Sequence, residues 1–293
     1  MSGGGSQASD GAFDLTDRVA VVTGGGAGIG RGIAVQLARC GADIVIADID
    51  VQRAEQTRQL VERQGRRGLV VATDVMDADQ VRSCISEADA TFGRLDILVN
   101  NAGGVNGRPF LEQSERSWRR HIDLNLVSML VATATAAPII IRGGHGGSIV
   151  NIASIEATRA APNYAVYAAC KAAMISFTRT MAVELGEHRI RVNAIAPDLT
   201  QTPGSMGLPG GPVPEPLPSR SQETLAKLNR YIPLMREGTM EECGHLVAFL
   251  CSDLAGYITG ALVPIDGGTW ASSGWTRDRL GGWSVFGETP MYG

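Results

Sequence analysis

The chain has 293 residues, of which 44% are hydrophobic and 19% charged, and a formal net charge of −4. It is long enough for one large domain or two small ones with a full core. Its slight acidity and the lack of a long basic run argue against nucleic acid or an anionic membrane as the main partner.

Cys40, Cys84, Cys170, Cys243 and Cys251 are scattered without a CxxC pair. Such a set reads as free thiols in a reducing, cytoplasmic setting. His121, His145, His188 and His245 lack an HExxH-like spacing, so no metal site is expected. Residues 1–13, small and polar, read as a disordered leader without the basic start and apolar stretch of a signal peptide.

From residue 14 the chain alternates short β-branched runs with helical patterns. "VAVVT" (19–23) predicts a strand, and "IGRGIAVQLARCG" a helix ending at Gly41. "DIVIAD" (43–48) and "GLVVATD" (68–74) predict strands around a helix with a charged outer face, and a further helix runs from about Ala78 to Phe92. "LDILVNNAG" (95–103) is a strand and turn, followed by a long helical stretch around 115–141. Its apolar part, Leu124 to Ile141, contains Asn125, Ser128 and Pro138, and reads as a buried helix rather than a membrane span. "GSIVNIAS" (147–154), a helix from Tyr164 to Gly186, and strands at 189–196 and 260–268 complete the pattern.

Continuous apolar strands separated by helices imply a parallel sheet covered on both faces. Right-handed crossovers make it a doubly wound, Rossmann-type α/β domain of about seven strands over residues 14–268. Two segments depart from this rhythm. Residues 203–220 are rich in proline and glycine and read as a mobile loop, and the tail 269–293 carries three of the four tryptophans.

"VVTGGGAGIGRG" follows the first strand and opens the first helix, with Gly24, Gly28 and Gly30 in a GxxxGxG spacing. Such a turn lets backbone approach a pyrophosphate at a helix N-terminus, although tight turns also use glycine for steric reasons alone. Asp48 ends the second strand twenty positions after Gly28, where a carboxylate can accept from adenosine ribose hydroxyls and repel a 2′-phosphate. Ile49 and Asp50 follow it rather than arginine, and Arg53 lies a turn further on. These features favour NAD over NADP; the competing reading makes Asp48 an N-cap of the next helix. Asp74, ending the third strand, can meet the adenine amino group.

In "YAACK", Tyr167 and Lys171 stand four apart, on one face of a helix. Together with "TGGGAGIG" (23–30), "NNAG" (100–103), Asn125, Ser154 and "PDLTQTP" (197–203), this succession resembles the short-chain dehydrogenase/reductase family over roughly residues 14–268. The resemblance implies an oxidoreductase that interconverts a secondary alcohol and a ketone by hydride transfer. Tyr167 would be the general acid/base, with Lys171 favouring the phenolate by its charge. Ser154 would orient the substrate oxygen, and the Asn125 amide would continue a water-linked proton path from Lys171.

The resemblance also places NAD against Gly24, Gly28, Ile29 and Gly30, then Asp48, Asp74 and Val75, and further along Asn101, Ala102 and Gly103. Asn100 would lie beside that ribose; Pro197, Thr200 and Thr202 would hold the carboxamide and phosphates, with Tyr167 and Lys171 at the nicotinamide. Residues 203–232 would cover the substrate. Asp198 replaces the glycine usual in the family, and Cys170 is expected to pack away from the catalytic face. An NADP-linked ketoacyl reductase and a non-catalytic nucleotide sensor remain as alternatives. The family implies a homotetramer, and the tail, through Trp275, Trp283 and Phe286, is expected to pack at a subunit interface.

Overall fold

The computed structural model describes residues 13–208, 210–278 and 281–285. Seven strands run parallel in one sheet: β1 (Val19–Thr23), β2 (Asp43–Asp48), β3 (Gly68–Ala72), β4 (Ile97–Asn100), β5 (Gly147–Ile152), β6 (Ile190–Pro197) and β7 (Leu262–Ile265). Their order is β3-β2-β1-β4-β5-β6-β7. The chain therefore winds outward one way from β1 and the other way from β4, which is the doubly wound architecture.

The helices are α1 (Gly28–Arg39), α2 (Val51–Glu62), α3 (Ala78–Phe92), α4 (Glu115–Ile122), α5 (Ser128–Gly143), α6 (Ala165–Glu184), α7 (Gln222–Tyr231), α8 (Met240–Cys251) and the short α9 (Thr269–Ser272). β1 shows why both faces are covered. Ala20 and Val22 join the apolar layer with Ile33 and Leu37 of α1 and Val247 of α8. Val19 and Val21 join the opposite layer, with Ile85 of α3 and Ala136 and Ile140 of α5. A strand buried on both sides needs apolar residues at both parities, and reads as an unbroken run.

α8 is not announced by the strand–helix alternation. Its start is nevertheless encoded locally: Glu242 N donates to Thr239 Oγ1 and Thr239 N donates to the Glu242 carboxylate, a reciprocal capping box. Its seat is set by α1. A Cβ on Gly32 would stand 2.3 Å from Met240 O, and one on Gly244 2.6 Å from Gly32 O, so the helices approach at a distance only glycine allows.

α4 passes through a π-helical turn at Asp123–Val127 into α5. The run Glu115–Gly143 is long and apolar enough to cross a membrane by composition. Here Ala132, Ala136 and Ile140 bury that apolarity against the sheet.

Beyond β7, a two-stranded hairpin pairs β8 (Thr276–Arg277) with β9 (Trp283–Ser284). It lies against α7 of the same chain, where Arg230 Nε donates to Arg277 O at 3.1 Å. The Arg277 guanidinium covers the Trp283 ring at 4.6 Å. Trp270, Trp275 and Trp283 keep 48%, 40% and 43% of their surface exposed. Phe286, and all of the expected leader except Phe13, lie outside the described residues.

Candidate active site

A cleft of about 580 Å³ opens along the carboxyl ends of the strands, across the β1/β4 boundary where the winding reverses. At one end lies the turn after β1. Gly24 has φ +64°, and a Cβ there would stand 3.0 Å from Ala102 Cα; a Cβ on Gly30 would be 2.1 Å from Gly24 O. The turn thus brings α1 down onto β4. Ala27 at the N-cap offers no side-chain acceptor, which leaves the first-turn N–H groups of α1 for an anion in the cleft.

Asp48 also lines this end. Its Oδ2 accepts from Gly26 N at 2.8 Å and its Oδ1 from Asp50 N at 2.9 Å. Asp50, not Asp48, caps α2, by accepting from Arg53 N. The carboxylate is therefore held at the cleft edge beside the glycine turn. Asp74 and Val75 line the same wall, with Asp74 Oδ1 accepting from Met76 N. Asn101 locks the turn: its Nδ2 donates to Thr23 O and Gly24 O. Asn100 does not reach the cleft. Its Nδ2 donates to Asn151 Oδ1 and Thr133 Oγ1 inside the molecule, because successive residues of a strand point to opposite faces.

At the other end stand Ser154, Tyr167 and Lys171, all lining the cleft. The Lys171 ammonium lies 5.8 Å from the Tyr167 ring centroid and donates to Ile152 O at 2.7 Å. Ser154 starts a 3₁₀ turn, Ile155–Ala157, with its hydroxyl accepting from Glu156 N. Gly103 explains how Asn125 joins them: a Cβ there would stand 2.9 Å from Asn125 Oδ1 and 3.4 Å from Lys171 Nζ.

The Asn125 amide is committed to backbone, donating to Gly104 O and His121 O and accepting from Gly104 N. Passing a proton through it would require exchanging those bonds, so the amide positions the β4 loop. Cys170 faces away, its thiol donating to His121 O.

Burial governs the protonation of the pair. It raises the Tyr167 phenol above its ordinary value; a hydrogen bond with Ser154 pulls it back, and the Glu156 charge adds to the rise. The same burial lowers Lys171 to about 8. Desolvation, invisible in the spacing of "YAACK", is the largest cause of both shifts.

Residues 24–269 match the family described as enoyl-(acyl carrier protein) reductase. A 2-dehydro-3-deoxy-D-gluconate 5-dehydrogenase of Dickeya dadantii is 35% identical, the match covering 87% of this chain and 96% of that protein. The chain belongs to the short-chain dehydrogenase/reductase family.

A 3-oxoacyl-(acyl-carrier-protein) reductase of Thermotoga maritima is likewise 35% identical, over 87% of this chain and 98% of its own. Among solved structures, a 7α-hydroxysteroid dehydrogenase complexed with NADH and 7-oxo glycochenodeoxycholic acid is 31% identical with a TM-score of 0.80, covering 88% of this chain and 96% of that one. This short-chain dehydrogenase/reductase is accordingly an oxidoreductase of alcohol- and ketone-type substrates that uses a nicotinamide cofactor. The glycine turn, the free α1 N-terminus and the Asp48 carboxylate fit the phosphate and ribose parts of such a cofactor.

Past β6 the family pattern holds less well. Pro197, Asp198 and Thr202 line the cleft, whereas Thr200 does not. Thr200 is buried, donates to Asp198 O and pairs its backbone with Gly238, so it braces the loop from beneath instead of holding phosphate.

The 203–220 segment reaches further toward the nucleotide end than its composition suggests. Arg53, itself on the cleft wall, donates to Gly211 O at 2.7 Å and Leu208 O at 2.9 Å. Gln56 Oε1 accepts from Val213 N, and Arg31 pairs with Glu215. No local pattern signals these bonds, since their partners lie more than 150 residues away in sequence.

Proposed function

We propose that the chain is an NAD-dependent dehydrogenase that interconverts a secondary alcohol and a ketone, with Tyr167 as general acid/base. The observation carrying the reading is that Tyr167, Ser154 and Lys171 face the same cleft whose far end holds Asp48 beside the glycine turn. The glycine turn and Asp48 would hold NAD, which would supply the hydride acceptor for oxidation and, reduced, the donor for reduction. Ser154 donates to the substrate oxygen and fixes its direction. Tyr167 takes the hydroxyl proton during oxidation and gives it back during reduction. Lys171, anchored on Ile152 O, supplies positive charge behind the phenol.

The preference for NAD rests on Asp48, whose charge opposes a 2′-phosphate, and on Arg53, whose guanidinium is turned to the carbonyls of Leu208 and Gly211. Comparing the dissociation constants of NAD and NADP tests it: equal affinities, or tighter NADP, would reject the NAD reading. Turnover is tested by reduced-cofactor absorbance with a panel of secondary alcohols, and unchanged rates in Tyr167→Phe would reject the mechanism.

The assembly reading is a homotetramer in the cytoplasm, acting on a small-molecule substrate and not on nucleic acid or membrane. Its tail would bury the half-exposed tryptophans between subunits. Light scattering on the full chain and on a chain ending at Gly268 tests this; identical mass and kinetics would dismiss the role of the tail.

A further inference from the structure

Asp198, the family's usual glycine, enters none of the steps above, yet its side chain is only 8% exposed. Its Oδ2 accepts from Thr269 Oγ1 at 2.5 Å and from Arg159 Nη2 at 3.2 Å. The same Arg159 Nη2 donates to Glu156 Oε1 at 2.7 Å, and the guanidinium stands 6.0 Å from the centroid of the Tyr231 ring. One cation thus gathers side chains from the turn after β5, the loop after β6 and the end of α7, and through Asp198 it reaches the start of α9. The cluster borders the reacting end: Asp198 lines the cleft with Ser154 and Tyr167, and Glu156 N donates to Ser154 Oγ.

We propose that Arg159 is a positioning residue of the reaction. It bridges the Glu156 and Asp198 carboxylates at the reacting end of the cleft, offsetting one of their two charges, and it ties the Ser154 turn to α7 and the C-terminal extension. The proposal rests on the acid/base reading of Tyr167.

Two carboxylates at one partly dry site repel each other and disfavour any further negative charge nearby. The reacting tyrosine must become negative when it gives up its proton, so an uncompensated pair would hold it in the phenol form. Arg159 offsets one of those two charges and at the same time fixes the turn by a direct bond to Glu156. The charged groups at this end are Lys171 on α6, 5.8 Å from the Tyr167 ring, Glu156 and Arg159 after β5, Asp198 after β6 and Arg120 on α4, of which Asp198 and Arg120 share the cleft wall with Tyr167. Of these, only Arg159 bonds both carboxylates. The composition of the cluster also explains why the departure from glycine is tolerated: Asp198 arrives with a guanidinium and a hydroxyl to satisfy it.

The test needs no substrate. Phenolate absorbance is titrated in the protein with NAD bound, and the Tyr167→Phe titration is subtracted in each background to isolate Tyr167. Arg159→Gln is expected to raise its midpoint and Asp198→Asn to lower it, each by about 0.5–1 pH unit for loss of one nearby charge. Arg159→Lys, which keeps the charge, should return the midpoint toward that of the unaltered protein. This conservative variant and Asp198→Asn carry the test if Arg159→Gln does not fold. Midpoints that stay fixed, or that move the same way in the two neutralising variants, would overturn the proposal. Failure of the acid/base reading would show separately, as turnover surviving in Tyr167→Phe.

Discussion

At the nucleotide end of the cleft, residues 24–30 act through backbone amides and through side chains they lack. At the substrate end, Glu156, Arg159, Asp198, Tyr231 and Thr269 act through side chains drawn from four separated segments. The first region is built mostly by a local glycine turn, with Asn101 and Asp48 holding it from the neighbouring strand ends. The second exists only once β5, β6, α7 and the C-terminal extension are in place. A backbone turn can be written mostly in local sequence, whereas a side-chain cluster of this kind is assembled from afar.

The strongest way to break this comparison is at the reacting group. Tyr167→Phe is expected to reduce kcat/KM by about 10²–10⁴-fold, the usual worth of a positioned acid/base, measured with any alcohol the protein oxidises. Next comes the nucleotide end. Asp48→Ala should weaken NAD binding by about 10–100-fold, as expected for losing a charged hydrogen-bond acceptor, and titration calorimetry with NAD and NADP would show it. An unchanged NAD affinity would mean that the backbone turn alone carries recognition.

A smaller effect is expected away from the cleft. Gly32→Ala places a methyl group 2.3 Å from Met240 O and should cost about 1–3 kcal/mol through overpacking, read by urea denaturation. Little change would show that α1 and α8 can slide apart.

A pH-dependent effect concerns Lys171, whose folded pKa of about 8 lies below the ordinary 10.5. Between these values the unfolded chain binds more protons than the folded one, so burying this lysine disfavours folding most below pH 8. That penalty fades as pH rises toward 10.5. The difference in melting temperature between Lys171→Met and the unaltered protein should therefore shrink from pH 7 to pH 10. A constant difference would contradict the shift.

Much of the frame is legible in the sequence. All seven strands, the glycine turn, Asp48 and the spacing of Tyr167 and Lys171 stand where the pattern places them, and each depends on residues close in sequence. What was missed depends on distant neighbours. Asn100 and Thr200 sit in motifs that point to the cofactor, but the parity of β4 and the course of the loop after β6 turn their side chains inward. α8 interrupts no alternation and is seated by a glycine contact with α1.

The sequence alone determined a doubly wound sheet with a dinucleotide turn at one end and a tyrosine–lysine pair at the other, because periodicity, glycine geometry and one-turn helical spacing act over a few residues. Only the tertiary structure decided how dry the pair is, where the 203–220 segment docks and what Asp198 bonds. Desolvation and long-range hydrogen bonds depend on which remote segments arrive beside a residue, and no local pattern carries that.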